Sequence, residues 1–342
     1  MNHTVNWNPP GNWSRIQTID MHTGGEPLRV LINGLPEIKG RNILEKRSYF
    51  REHLDFIRTG TMFEPRGHAD MYGAVITEPV TEDGDFGVFF LHNEGYSTMC
   101  GHAIIALTKL VIETGLIKKK GPEVILNIDA PPGRIVSTAW LNNGIVERIV
   151  FRNVPSFVLM SGKEIEIGAR RKVPFDVAYG GAFYAFVDDP GLELGSRNAM
   201  SLIAMGRKIK DAVSTGHDIV HPFEDDLGFL YGTIFTGEAM DQDNHSRNVC
   251  IFADGELDRS ATGSGVSARA AIHYSRGELS LGEWITIESI LGTTMQVRVV
   301  EQTQFGPHKA VIPEVSGMAH FTGRSEFWFD PEDPLKEGFI IR

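Results

Sequence analysis

Apolar positions alternate or run together in short stretches along the chain, and they divide it into many strands and few helices. Residues 16–35 read as a strand, a Gly24-Gly25 turn and a second strand over 28–32. Over 42–59 the residues Leu44, Tyr49, Leu54 and Ile57 have helical spread, with charges between them, which predicts one helix. Strands at 71–76 and 86–91 flank an acidic turn at 81–85, and the apolar run Val88-Phe89-Phe90-Leu91 reads as buried. A helix over 103–114 is closed by Gly115. Beyond it, 124–128 and 134–140 form a hairpin around Pro131-Pro132-Gly133, and 145–151 is another strand.

Around 154–168 the pattern starts again. Ala178-Tyr179-Gly180-Gly181 echoes His22-Thr23-Gly24-Gly25, and 192–213 has a helix-like spacing. Strands follow at 230–235 and 248–252, then a helix over 266–275 closed by Gly277, then a strand pair at 284–290 and 295–300. Met99-Cys100-Gly101-His102-Ala103 and Ala261-Thr262-Gly263-Ser264-Gly265 occupy the same place in the two runs. Cys100 then matches Thr262, Gly101 matches Gly263, His102 matches Ser264 and Ala106 matches Ala268. A repeat this long points to duplicated halves, taken as 1–155 and 156–342, rather than to a solenoid. Whether the segment from about Phe327 packs back on the first half is left open by the pattern.

Composition narrows the function. At 342 residues two domains are the natural prior. A net charge of −11 argues against nucleic acid and anionic membranes as partners. No apolar segment has the length of a transmembrane helix, and residues 1–14 have neither a signal-peptide nor a transit-peptide layout. Two cysteines, Cys100 and Cys250, make neither a disulfide framework nor a cysteine zinc site, so a cytoplasmic enzyme is expected.

Cys100 stands at a strand-to-helix junction, where free backbone N–H groups and the positive end of the helix dipole converge, a setting in which a thiol ionises readily. On these grounds alone it could equally be a packed small hydrophobe. Other signals are weaker. Gly263-Ser264-Gly265-Val266-Ser267-Ala268 fits a dinucleotide glycine pattern, but Asp-Arg-Ser-Ala-Thr precedes it instead of an apolar strand. His217 and His221, with Glu224, Asp225 and Asp226, have a metal-like spacing, yet Pro222 favours a polar loop. Cys250 reads as a packed strand residue and Lys118-Lys119-Lys120 as a solvated loop.

Four motifs carry a resemblance: Ile19-Asp20-Met21-His22-Thr23-Gly24-Gly25-Glu26-Pro27-Leu28-Arg29-Val30, Glu64-Pro65-Arg66-Gly67-His68-Ala69-Asp70-Met71-Tyr72-Gly73, Met99-Cys100-Gly101-His102 and Asp258-Arg259-Ser260-Ala261-Thr262-Gly263. With these, from about residue 16 to beyond 320, the chain resembles the proline racemase family. The resemblance implies an α/β (α+β) fold of the diaminopimelate epimerase type, with two pseudo-symmetric domains. Each curls a β-sheet round a central helix, and the site lies in the cleft between them. It implies no metal and no pyridoxal phosphate or other cofactor. It also implies a small imino-acid ligand, and a homodimer is one assembly it allows. Substrate contacts are implied at Gly101, His102, Asp258, Gly263 and Ser264, with His102 and Asp258 near the ring nitrogen. His22, His68 and Asp70 lie in the motifs without an assignable role, structural ones being favoured.

Family racemases use two cysteines, one per half, on opposite faces of the α-carbon. Here the second is Thr262. A hydroxyl is a far weaker acid than a thiol, although it donates and accepts hydrogen bonds. The Cys/Thr pair therefore resembles family members that dehydrate trans-3-hydroxy-L-proline, with Cys100 as the base at C2 and the thiol or a water protonating the departing hydroxyl. Two other readings remain: a proline or 4-hydroxyproline 2-epimerase in which another group replaces the cysteine, and a non-catalytic imino-acid binding protein.

Overall fold

The computed structural model describes residues 7–168, 171–189 and 191–341, so the first six residues of the N-terminal stretch considered above lie outside it. The apolar runs become strands buried on both faces: Phe86–His92 and Ser246–Phe252 are buried at every position. All the strands named join one hydrogen-bonded sheet, which runs twice through the same order of pairings.

In the first pass Ser14–Thr23 lies antiparallel to Glu26–Asn33, which lies parallel to Tyr72–Thr77. Phe86–His92 pairs antiparallel to that strand and parallel to Glu123–Ala130, and Gly133–Asn142 and Ile145–Arg152 complete a meander. In the second pass Arg171–Tyr179, Phe183–Asp188, Leu230–Gly237, Ser246–Phe252, Ile285–Glu288, Thr294–Phe305 and His308–Gly317 repeat each of these pairings with the same sense. The duplication read from two short motifs thus extends to the whole hydrogen-bond order.

Two further strands tie the halves together. Ser156–Ile167 leaves the first pass to pair with Arg171–Tyr179, and Ala319–Phe329 leaves the second to pair with Ser14–Thr23. The final strand therefore completes the sheet in which the chain began. Phe329 is buried there with Ile16, Phe50 and Ile57, under the Arg66 guanidinium 4.4 Å from its ring centroid.

Among the described residues five α-helices pack on this frame: α1 (Ile43–His53), α2 (Asp55–Met62), α3 (Gly101–Glu113), α4 (Ala199–Gly216) and α5 (Gly263–Ser275). The single helix expected over 42–59 is two. The chain leaves helical geometry at Leu54 (φ −130°, ψ 12°), which lets Leu54 and Ile57 join Phe50 and Phe89 in one core. Asp55 restarts the helix and holds Arg58 in a two-point ion pair. Helix α4 begins at Ala199 rather than near 192, because Gly195 is extended (φ −120°) and a single 3₁₀ turn follows it.

Helices α3 and α5 run through the interior, α3 buried continuously from Gly101 to Val111 and α5 from Gly263 to Ile272. A helix apolar or small on all sides has no solvent face and must be enclosed. Among the described residues no helix is long and apolar enough to cross a membrane.

Candidate active site

The N-termini of α3 and α5 meet backbone to backbone. A Cβ added to Gly101 would stand 2.5 Å from the Gly263 Cα, and one added to Gly263 would stand 2.6 Å from the Gly101 Cα. Only glycine at both positions allows this approach. The first amides of a helix have no carbonyl one turn back to bind. Two such ends in contact bring the N–H groups of Gly101, His102, Gly263 and Ser264, and the positive ends of two dipoles, to one place.

The double-glycine turns secure the arrangement by leaning across the halves. Gly24 packs on Ser260 and accepts a hydrogen bond from Thr293 Oγ1, and Gly181 packs on Met99 and accepts one from Thr98 Oγ1. Each turn thus clamps the loop that leads into the other half's central helix, which explains why the glycine pair recurs.

Between the helix ends lies a small, tightly closed cavity of about 20 Å³. Cys100, Gly101, His102, Asp258, Thr262, Gly263 and Ser264 all line it, so the structure brings every site residue expected from the sequence to one cavity. Met99, Tyr72, Tyr184, Tyr231 and Phe252 line it as well, and sequence reasoning missed these.

Cys100 is the N-cap of α3, its Sγ accepting from the Ala103 N–H at 3.4 Å and lying 3.1 Å from His102 Nδ1. Burial pushes the thiol well above its ordinary range, and the Asp258 and Glu26 carboxyls push the same way. The Ala103 N–H and the Tyr72 hydroxyl oppose them as donors to the thiolate. The helix terminus acts as expected, but enclosure outweighs it and favours the protonated thiol. His102 is pushed toward its neutral form by burial, with the Asp258 charge opposing.

Thr262 occupies the equivalent place in a different conformation. It has φ +66°, a left-handed backbone rare for a β-branched residue, and its side chain does not cap α5. Its Oγ1 donates to Asp258 Oδ2 at 2.8 Å, and Asp258 Oδ1 accepts from the Ser260 N–H at 2.7 Å. Ser264 Oγ is 2.8 Å from the Tyr184 hydroxyl.

Glu26 is a further carboxyl at this site. It is fully buried, with Oε2 accepting from the Arg259 N–H at 2.7 Å. Burial and then the neighbouring Asp258 charge push it well above the carboxylate range, toward its neutral form. Asp70, at φ +65°, forms an ion pair with the Arg259 side chain at 3.0 Å, joining the first half to the loop that carries Asp258. His22 Nδ1 accepts from the Gly25 N–H at 3.2 Å and so braces the glycine turn, while His68 meets the Ala69 carbonyl at 2.6 Å.

The signals set aside in the sequence lie elsewhere. His217 caps the end of α4, and His221 is buried, its Nδ1 accepting from the Phe223 and Glu224 N–H groups. Cys250 is a fully buried strand residue. It packs closely enough behind Thr262 and Asp258 for both to influence its thiol. Lys119 pairs with Asp85 at 2.7 Å.

Known proteins share this architecture. The proline racemase family model matches residues 18–340. A trans-3-hydroxy-L-proline dehydratase from Colwellia psychrerythraea is 49% identical over 329 residues, covering 96% of this chain and 93% of that protein. A 3-hydroxyproline 2-epimerase from Burkholderia multivorans is 42% identical, covering 96% of this chain and 98% of that protein. Among solved structures, a hydroxyproline epimerase from Agrobacterium vitis with bound trans-4-hydroxy-L-proline superposes with a TM-score of 0.92. It has 27% sequence identity and covers 97% of this chain and 96% of its own. The pseudo-symmetric fold expected from the resemblance is the one found.

Proposed function

The chain belongs to the proline racemase family, and we propose that it dehydrates trans-3-hydroxy-L-proline to Δ1-pyrroline-2-carboxylate and water, with Cys100 as the base at C2. The observation that carries this reading is the broken symmetry of the cleft. Cys100 faces the cavity as a titratable thiol, while its counterpart Thr262 has a hydroxyl already committed to Asp258. Two-face proton exchange needs a usable acid or base on each face, and a threonine hydroxyl supplies neither near neutral pH.

Elimination needs one base. In trans-3-hydroxy-L-proline the hydroxyl is trans to the carboxylate and so lies on the same ring face as the C2 hydrogen. Cys100 on that face takes the C2 proton, and the hydroxyl leaves from the same side. The substrate carboxylate sits at the paired helix N-termini, where Gly101, His102, Gly263 and Ser264 offer N–H donors that strengthen as charge builds on the α-carbon. Asp258, held by Ser260 and Thr262, faces the ring ammonium. The enamine then tautomerises in solution. We take 1–155 and 156–342 as the two halves, with Ala319–Phe329 returned to the first. Two buried free thiols fit the reducing cytoplasm.

The test is product analysis after incubation with trans-3-hydroxy-L-proline. Δ1-Pyrroline-2-carboxylate is the expected product, and cis-3-hydroxy-D-proline in its place would establish the epimerase reading that the Burkholderia relative's name suggests. A second expectation follows from the glycine contact. Gly101→Ala wedges the helix ends apart and is expected to cost on the order of 10²-fold in kcat/KM, as misplacement by about 1 Å does elsewhere. Circular dichroism should show a retained fold, and an unimpaired variant would mean the two helix ends need not touch.

A further inference from the structure

The strand pairings set Tyr72-Gly73, at the start of Tyr72–Thr77, against Tyr231-Gly232, at the start of Leu230–Gly237. The duplication has therefore placed a tyrosine from each half in the same cavity. Neither is used by the mechanism above. The Tyr231 hydroxyl is buried, with the Ser97 and Tyr72 side chains as its polar neighbours but no hydrogen bond of good geometry to either. Its ring cannot swing to find one, being stacked on Phe252 at 5.4 Å and held edge-on by Tyr184 at 5.9 Å and His92 at 6.0 Å. A fixed, buried hydroxyl that lines a ligand cavity and lacks a well-formed bond is a site for a polar group on the ligand. Tyr72 is fixed in turn, edge-on to His102 at 4.9 Å.

Carboxylate and ring nitrogen already have their partners at the helix ends and Asp258, so the polar group left on the proposed substrate is the 3-hydroxyl. We propose that Tyr231 receives the departing 3-hydroxyl and gives it the proton with which it leaves as water, Tyr72 relaying that proton from Cys100. The inference rests on the dehydratase reading and assigns the acid that reading lacks.

The proton count closes without an outside donor. The C2 hydrogen passes to Cys100 Sγ, and its electron pair stays on carbon. That pair forms the C2–C3 double bond as the C3–O bond breaks, and the oxygen takes the Tyr231 proton. Tyr72 reprotonates Tyr231 and takes the proton held on Sγ, which restores the thiolate. Burial keeps both phenols protonated far above neutral pH, and each phenol is influenced by Cys100 and by the other.

The experiment compares the wild-type protein with Tyr231→Phe and Tyr72→Phe in D₂O. It measures product formed, deuterium at C2 of recovered trans-3-hydroxy-L-proline, and affinity for pyrrole-2-carboxylate, a planar analogue without a hydroxyl. Each variant is expected to lose about 10²-fold or more in elimination, the usual share of a general acid. In Tyr231→Phe the carbanion should then return to substrate, so recovered substrate gains deuterium while analogue affinity stays at the wild-type level. Elimination at the wild-type rate in Tyr231→Phe would overturn the proposal. So would slow elimination with no deuterium gained, since proton removal itself would then have failed. A wild-type protein that forms no product would instead sink the dehydratase reading.

Discussion

Cys100→Ser is expected to lose about 10³-fold or more of the dehydration rate while the protein keeps its stability. The two effects separate because Cys100 does two things. As the N-cap of α3 it accepts the Ala103 N–H, and a serine oxygen performs that task at least as well. As a base it must give up a proton, which a serine hydroxyl does not do at usable pH. A melting temperature equal to or above the wild type, with product formation and C2 exchange both lost, is the expected pair of results. Substantial residual dehydration would remove Cys100 from the role of base. The same thiol sets the pH dependence. Its active form is the deprotonated one, and burial with the Asp258 and Glu26 carboxyls raises its pKa in the free protein. Activity should therefore rise with pH, and kcat/KM should reach no plateau below the ordinary thiol value of about 8.5. A plateau already present at neutral pH would show that the neighbouring His102 ionises the thiol as an ion pair.

Much of the site was readable because it is local. Cys100, Gly101 and His102 are adjacent, as are Thr262, Gly263 and Ser264, and a glycine in the first turn of a buried helix marks close backbone approach wherever it stands. The duplication was readable for the same reason, since each copy repeats the same run of elements. What escaped depends on distance and depth. The strand Ala319–Phe329 pairs with residues some three hundred positions earlier, and no local pattern announces that partner. The ionisation of Cys100 was read from the helix terminus, which is written in the sequence, whereas the burial that outweighs it is not. Glu26 stood in a quoted motif, but its raised pKa follows from burial and then from a carboxyl contributed by residue 258. Tyr72-Gly73 and Tyr231-Gly232 were visible as a second repeated dipeptide, and aligning the halves beyond the helix starts would have found them. The break at Leu54 is a tertiary override, in which two apolar side chains reach one core only if the helix yields.

Thr262→Cys is expected to give a protein that epimerises at C2, an activity the one-base mechanism proposed for the wild type does not provide. The substitution puts a titratable thiol on the face opposite Cys100, in a cavity lined by the N-termini of both helices. Chiral chromatography of 3- and 4-hydroxyproline should reveal the D-epimers, with solvent deuterium at C2. The new activity should be modest, for two structural reasons. Thr262 has φ +66°, whereas Cys100 has φ −144°, so a cysteine on the present backbone does not project as the mirror image of Cys100. Left-handed backbone at a non-glycine residue costs on the order of 1 to 3 kcal/mol, and removing the β-branch lets the loop relax toward the extended form of the first half. Asp258 also loses the hydroxyl donor that holds Oδ2, so dehydration should fall as epimerisation appears. The conservative variant separates these effects. Thr262→Ser keeps the donor to Asp258 and adds no thiol, so it should dehydrate without epimerising. Epimerisation by Thr262→Ser, or full-rate dehydration with no epimer from Thr262→Cys, would mean that position 262 does not face the α-carbon. The asymmetry of the cleft would then need another cause.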